Sequence, residues 1–210
     1  MLNDSLDKVI GSYFSVVNAA PFTYKRKTYD PRPLRVSPAL ARGLICPPQC
    51  AGCCPRFSLD YLPFEDVPYA LPSRQIVVNG KEFAVLSDLQ EPGWHCKNVD
   101  MITGRCVVHG KQPFSCDFEI VRTKHFTSAN ISNQLLTAPF GRAWALKRVD
   151  DERGALCEIT PVSYQNAQEA ARKLRRLARW MEYFEVPHRI DPITLWLERG
   201  DYQSGKPLLI

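Results

Sequence analysis

The chain has 210 residues, 45% of them hydrophobic, so it is long enough for one sizeable domain and too apolar for global disorder. No run approaches the roughly 18 apolar residues that a membrane-spanning helix needs, and Asp4 and Asp7 argue against a secretory signal. We therefore expect a cytoplasmic protein without a membrane partner. Its eight cysteines should then be reduced thiols, which favours metal binding over disulfides. The formal charge of +5 is weak support for a nucleic-acid partner, because metal-bound thiolates would lower it.

The N-terminal residues predict an amphipathic helix that has Asn3 or Asp4 near its cap. Its apolar positions recur at helical spacing, at Leu2, Leu6, Ile10, Tyr13, Phe14 and Val17. Residues 23–43 that follow are basic and rich in proline. Prolines there exclude a continuous helix, so we expect an extended arm or loop packed on the domain.

Two hairpins are predicted further along the chain. Residues 74–86 contain two β-rich runs joined by Asn79-Gly80, which suits a type I′ turn because both positions take positive φ. Two short runs further along resemble strands, at residues 105–109 (RCVVH) and 117–123 (DFEIVRT). A second hairpin is expected between residues 143–149 and 155–162, with its turn at 150–154.

The last strong element is a helix over residues 166–186, begun by a capping box of Asn166 and Glu169 and stopped by Pro187. Its apolar face is predicted to hold Ala170, Leu174, Leu177, Ala178, Met181 and Phe184. The opposite face carries Arg172, Arg175, Arg176 and Arg179. We therefore predict an α+β fold in one domain, with amphipathic helices at both ends. It comprises an N-terminal helix and basic arm (1–43), a cysteine-rich metal-binding core with short β-hairpins (44–120), and a C-terminal hairpin and helical part (121–210).

The cysteines are the strongest functional signal. A C-x3-C-x2-C-C run is followed by C-x9-C-x9-C and by one more cysteine, at Cys46, Cys50, Cys53, Cys54, Cys96, Cys106, Cys116 and Cys157. Thiolates are soft ligands that select zinc, copper(I) or iron–sulfur clusters, and the irregular spacing is not that of a standard zinc ribbon. The adjacent pair Cys53-Cys54 favours a cluster or two neighbouring sites over one tetrahedral ion. For Cys157, a metal ligand and a buried core thiol remain equally open.

CPPQCAGCC followed by HCKNVDMITGRCVVHGKQPFSC resembles the YkgJ-like cysteine-cluster family, described as a zinc- or iron-chelating domain. The resemblance covers residues 44–120 and implies a bound iron–sulfur cluster or zinc. Gln112 stands in place of the family's arginine, and His109 in place of a common aromatic residue. A flagellin lysine methylase is similar in its cysteine cluster, which would imply a modifying enzyme.

The function predicted from the sequence is therefore a metalloprotein with a [4Fe–4S] cluster favoured over zinc, acting as a redox or modifying accessory protein. No catalytic residue can be named, so enzymatic activity stays open. The alternative is a zinc-stapled, non-catalytic module that binds nucleic acid or a larger protein assembly. Its candidate contacts are Lys25, Arg26 and Lys27 in the arm and the helix residues Arg172, Arg175, Arg176 and Arg179. A solvated outer helix face is the simpler interpretation of those arginines.

Overall fold

The computed structural model describes residues 9–45, 60–62, 64–65, 73–87, 98–100, 102–103, 105–108, 111, 114 and 158–210. These ranges contain helices and small antiparallel sheets, which confirms the mixed α+β class. None of the helices found there combines the length and the apolar character that a bilayer crossing requires.

The N-terminal helix is π-helical over Ile10–Phe14 and α-helical over Ser15–Val17. Its predicted apolar positions from residue 10 onward are confirmed, since Ile10, Tyr13, Phe14 and Val17 are all buried. Phe14 packs against Phe184, with ring centroids 6.0 Å apart. Leu2, Leu6 and the predicted cap residues lie outside the described residues.

The basic arm contains more regular structure than an extended loop. Strands β1 (Phe22–Tyr24) and β2 (Lys27–Tyr29) form a hairpin, in which Tyr24 faces Lys27 across a two-residue turn. Strand β3 (Arg35–Val36) pairs with the C-terminal strand β11 (Leu208–Leu209). A 3₁₀ turn then spans Pro38–Ala41. Because Leu34, Val36 and Leu40 are buried, the arm is part of the core.

The long helix spans Tyr164–Tyr183, so the predicted bounds 166–186 are shifted at both ends. Ser163 is the cap, and its side chain accepts from the Asn166 backbone N–H at 3.2 Å; the predicted capping box was placed one turn too late. The helix ends before Pro187 in a Schellman motif, where Val186 N–H donates to Met181 C=O at 2.8 Å and Glu185 takes φ 55°.

One face of the long helix forms the centre of the core. All six apolar residues predicted on that face are buried, which confirms the predicted face. Each fully buried leucine there contributes about 2 kcal/mol relative to an exposed one. A short C-terminal helix (Ile190–Glu198), absent from the sequence-based prediction, packs against the long helix and buries Ile193, Trp196 and Leu197.

A three-stranded antiparallel sheet is built from β5 (Asp60–Tyr61), β6 (Ser73–Val78) and β7 (Lys81–Ser87), in the order β5-β7-β6. The predicted Asn79-Gly80 turn joins β6 to β7 with φ of 54° and 77°, which confirms the first hairpin. The Asn79 side-chain amide donates to Phe184 C=O at 3.2 Å, so the turn is fastened to the end of the long helix.

Two further strand pairs border the cysteine segments. Strand β4 (Leu44–Ile45) pairs with β10 (Glu158–Ile159), and β8 (Val99–Asp100) pairs with β9 (Arg105–Cys106), both antiparallel. The pairing of β10 with β4 was not predicted from the sequence. The first strand and the turn of the second predicted hairpin, 143–154, and the run DFEIVRT lie outside the described residues.

Candidate metal centre and its anchors on the long helix

The predicted metal ligands are mostly outside the part of the chain that the structure describes. Cys106 lies within it, in β9 opposite Val99, whereas the other seven fall beyond it: Cys46, Cys50, Cys53, Cys54, Cys96, Cys116 and Cys157. Among the described residues, no three His, Cys, Asp or Glu side chains form a group that could hold a metal ion. The candidate centre is therefore defined by the cysteine pattern and by the described residues that flank it.

A first group of contacts, which we call the polar anchor, consists of Gly43, Thr160 and Asn166 at the start of the long helix. Gly43 N–H donates to Thr160 Oγ1 at 3.0 Å, and Thr160 N–H donates back to Gly43 C=O at 3.1 Å. The Asn166 amide donates to Thr160 Oγ1 at 2.9 Å. These contacts hold β4 and β10 together, and the chain enters Cys46 directly after β4 and leaves Cys157 directly before β10.

The polar anchor needs a glycine for reasons of space. A Cβ atom on Gly43 would lie 2.5 Å from Asn166 Oδ1 and 2.7 Å from Thr160 Oγ1. Both distances are shorter than a carbon–oxygen contact allows, so any larger residue must displace both side chains.

A second group, the charged anchor, consists of Leu62, Glu65, Phe114 and Arg176. The Glu65 side chain is only 7% exposed, and its Oε1 accepts from Arg176 Nη2 at 3.0 Å and from Phe114 N–H at 2.8 Å. Its Oε2 accepts from Leu62 N–H at 3.1 Å. A buried carboxylate is stable only when such donors surround it. Glu65 therefore fixes the backbone at Phe114, two residues before Cys116.

Phe114 is held by its ring as well as by its backbone. The ring is fully buried against Trp180, with centroids 5.0 Å apart, and the Arg176 guanidinium lies 5.6 Å from the Phe114 centroid. Burial raises the pKa of Tyr183. The Tyr183 ring packs edge-on against the Phe64 ring, with 5.6 Å between their centroids. Phe114, two residues before Cys116, is thus docked on the same helix as the polar anchor.

The hairpin that carries Cys106 has its own carboxylate. Asp100 accepts from Thr103 Oγ1 at 2.7 Å and from Ile102 N–H at 2.9 Å. These hydrogen bonds, chiefly the one from the Thr103 side chain, hold the pKa of Asp100 below its ordinary value. Asp100 therefore stays ionised and closes the turn between β8 and β9.

The four helix arginines predicted as partner contacts all have contacts within this chain. Arg172 donates to Glu169 at 2.7 Å, and Arg175 forms an ion pair with Glu198. Arg176 belongs to the charged anchor. Arg179 lies 4.7 Å from the centre of the Phe64 ring. The sequence-based prediction missed Glu65, Glu198 and Phe64 as their partners, because each is far from the helix arginines in sequence.

Of the three basic arm residues, Lys25 and Arg26 form the turn between β1 and β2, and Lys27 is the first residue of β2. Lys25 and Arg26 are exposed and adopt φ of 48° and 64°. The Lys25 ammonium is 5.4 Å from the Tyr24 ring centre, and that of Lys27 is 4.7 Å from the Tyr29 ring centre. The left-handed conformation disfavours residues that carry a Cβ, by about 1 kcal/mol or more each.

No family model, curated protein or solved structure matches this chain. The resemblance to the YkgJ-like family therefore stays a prediction that rests on the cysteine pattern. The function has to be argued from the cysteines and from the two anchors.

Proposed function

We propose that this protein is a cysteine-cluster metalloprotein of the cytoplasm that binds an iron–sulfur cluster, or zinc. Its ligands would be the thiolates of Cys46, Cys50, Cys53, Cys54, Cys96, Cys106, Cys116 and Cys157. Thiolates of this number suit only soft metals, and reduced cysteines in the cytoplasm are available to them. The proposal treats residues 44–120 as the metal-binding core, to which Cys157 is added.

The observation that supports the proposal best is that described residues flanking cysteines distant in sequence are fastened to one helix. The polar anchor fixes Gly43, three residues before Cys46, and Thr160, three residues after Cys157, and the charged anchor fixes Phe114, two residues before Cys116. Convergence of these segments lowers the entropy that is lost when a metal closes the site. The bound metal would then contribute folding free energy, of the order of 10 kcal/mol for a structural zinc site.

An iron–sulfur cluster is favoured over zinc because the spacing is irregular and Cys53 and Cys54 are adjacent. When bound, such a cluster can store and pass one electron, or simply cross-link the chain. The chain's own contribution would be to supply thiolates and to hold their segments on the long helix. To act as a redox protein or as an accessory to a modifying enzyme, the protein would need one edge of the cluster to be accessible to a partner.

Anaerobic purification followed by counts of iron, zinc and acid-labile sulfide tests the proposal. We expect iron and sulfide in equal amounts, and a lower thermal midpoint after chelation. Arg172→Gln, a change on the exposed helix face, is the matched control and should keep the full metal content. About two zinc ions without sulfide would overturn the preference for iron. A chain that retains neither metal would overturn the proposal itself.

A second candidate function is a zinc-stapled module that binds nucleic acid or a larger assembly. The β1–β2 turn supports it, since Lys25 and Arg26 occupy left-handed positions that Asn-Gly fills in the other two-residue turn. Strained residues of this kind are enriched at functional sites. The helix arginines support it less, because of their contacts within the chain.

The double variant Lys25→Asn, Arg26→Gly tests this second function. It should stabilise the fold by about 1–2 kcal/mol through relief of left-handed strain. It should also weaken binding to a labelled single-stranded oligonucleotide at low salt, and reduce the salt dependence of that binding. Arg199→Gln, at an exposed position outside both the arm and the helix arginines, serves as control for the loss of one exposed charge. No binding by the unmodified chain at low salt would exclude the nucleic-acid version.

A further inference from the structure

The turn between β6 and β7 combines a reactive dipeptide with a structural contact. Asn79 and Gly80 are its two central residues, and both are exposed. They adopt φ of 54° and 77°, as a type I′ turn requires. The Asn79 side-chain amide donates to Phe184 C=O at 3.2 Å. A chemical change of that amide would therefore alter how the hairpin is held to the long helix.

An asparagine followed by glycine is well suited to attack of the backbone on the side-chain amide. Glycine has no Cβ, so nothing shields its nitrogen or restricts the rotation that brings it to the asparagine Cγ. Val78 pairs directly with Lys81, so the Gly80 N–H stands outside the strand ladder. A Cβ added to Gly80 would meet nothing within 4 Å, so the space beside the turn is open.

The reaction needs only water and hydroxide. Hydroxide removes the proton of the Gly80 backbone N–H, and the nitrogen attacks Cγ of Asn79. The new N–C bond closes a succinimide ring as the bond from Cγ to Nδ2 breaks, and Nδ2 takes a proton from water and leaves as ammonia. Water then opens the ring at either carbonyl, which gives aspartate, or isoaspartate with an extra methylene in the backbone. No oxidant or reductant takes part.

The contact with Phe184 restrains this reaction. Ring closure needs Cγ of Asn79 and the Gly80 nitrogen in a near-attack geometry, so the side chain has to leave its hydrogen bond. A second contact holds the same two segments together, since Lys81 forms an ion pair with Glu185. Their side chains are 53% and 55% exposed, so this pair adds only a little.

The products of the reaction cannot restore the contact. A carboxylate oxygen would replace the Asn79 amide nitrogen, so the donor would be lost and an acceptor would face Phe184 C=O. The neighbouring Glu185 already carries a negative charge, which adds repulsion. The Phe184 ring also packs against Phe14 and Trp180, with centroid distances of 6.0 Å and 6.5 Å. Release of the turn would therefore reach the core at the end of the long helix.

We propose that Asn79 is a self-modification site, which deamidates when its hydrogen bond to Phe184 opens and whose product leaves the β6–β7 hairpin unfastened from the long helix. The proposal does not depend on the proposed metal binding. It gives the fold a slow, irreversible change that water and hydroxide drive. The reaction therefore accelerates as the pH rises.

Peptide mapping by mass spectrometry of the full chain, incubated at mildly alkaline pH, tests the proposal. We expect Asn79 to deamidate in native buffer and to react about fivefold faster in urea, the factor expected for loss of one hydrogen bond. Asn18 and Asn166, each followed by alanine and held by its own hydrogen bonds, are internal controls that should stay intact in buffer. An Asn79 that is stable in buffer would overturn the site, and equal rates in buffer and urea would overturn the restraint by Phe184.

Glu185→Gln weakens the second contact and leaves the sequence around Asn79 unchanged. We expect deamidation to be about twofold faster in native buffer, because an exposed ion pair adds only this much, and unchanged in urea. Glu169→Gln, which alters an exposed carboxylate near the other end of the helix, is the matched control and should react at the unmodified rate. A native rate for Glu185→Gln equal to that of the control would contradict restraint by these contacts.

Asn79→Asp places the product carboxylate at the turn without incubation. Asn79→Gly is its matched variant, because glycine keeps the left-handed backbone and removes the amide without adding charge. We expect the thermal midpoint to fall by about 3 °C for Asn79→Gly and by about twice as much for Asn79→Asp. An unchanged midpoint for Asn79→Asp, or a smaller fall than for Asn79→Gly, would show that the product still holds the turn and would overturn the proposal.

Discussion

The two anchors hold the chain to the long helix by different physical means. The polar anchor, at Asn166, uses neutral hydrogen bonds and a backbone so close that only glycine fits. The charged anchor, at Arg176, surrounds one buried carboxylate with a guanidinium and two backbone N–H groups. Ten residues separate them on the helix, a distance of about 15 Å.

The difference indicates how each anchor fails. The polar anchor is sensitive to added volume at Gly43, because a larger side chain pushes its partners apart. Loss of one of its hydrogen bonds matters less, because its donors and acceptors are neutral and water can satisfy them. Loss of charge balance disrupts the charged anchor, because Arg176 and the two N–H groups would lose a partner in a poorly solvated place. Each failure frees described residues that flank a cysteine, so each should weaken the proposed metal binding as well as the fold.

The largest effect is expected from Glu65→Ala. This change removes the acceptor for three donors and leaves Arg176, 25% exposed, without its carboxylate. We expect the free energy of unfolding to fall by about 3 kcal/mol, the lower end for a broken buried ion pair. Urea denaturation followed by circular dichroism measures it. Affinity for Co(II) should fall too, because Phe114 is no longer fixed two residues before Cys116.

Glu169→Ala is the matched control for the charged anchor. Glu169 pairs with Arg172 on the exposed face of the same helix, with 2.7 Å between Oε1 and Nη2. An exposed pair of this kind contributes about 0.5 kcal/mol. Equal losses for the two glutamate variants would show that burial and the extra donors add nothing, and would remove the distinction between the anchors.

Gly43→Ala should have the next largest effect. The added methyl group meets Asn166 Oδ1 and Thr160 Oγ1, so the polar anchor must open. Overpacking of this size costs about 1–3 kcal/mol. Thermal unfolding of the variant measures the loss, and Gly11→Ala is its control. If Gly43→Ala unfolded at the same temperature as the unmodified chain, the polar anchor would not hold β4 to β10 as described.

The elements predicted correctly from the sequence are those whose signals are local. Asn79-Gly80 specifies its turn through the φ of two residues, and the apolar face of the long helix follows from spacing along one segment. The helix ends were misplaced by competition between nearby signals. Ser163 caps the helix one turn before Asn166, and Glu185 ends it without glycine because its left-handed backbone is fixed by the Schellman hydrogen bonds.

The anchors could not be predicted because their partners are distant in sequence. Glu65 and Arg176 are separated by 111 positions, and no local pattern predicts that pairing. The metal ligands stay a prediction from the sequence, because the soft-metal chemistry of thiolates follows from residue type and spacing alone. The flanking contacts add how described residues beside Cys46, Cys116 and Cys157 are attached to the long helix.

A third carboxylate, Asp100, completes the comparison because its hydrogen bonds resemble those of Glu65 but it lies in solvent. Its pKa is lowered chiefly by the hydrogen bond from the Thr103 side chain, so it contributes stability above its unfolded-state pKa. That contribution is lost as the pH falls through the lower folded-state pKa.

A carboxyl NMR titration should give a midpoint below 3.8 for Asp100, and Thr103→Val should raise that midpoint towards 3.8. Asp100→Asn should lower stability at neutral pH only slightly, because the amide oxygen still accepts a hydrogen bond and water screens the lost charge. A loss as large as that of Glu65→Ala would mean that hydrogen bonds to a carboxylate, and not its burial, set the strength of the charged anchor.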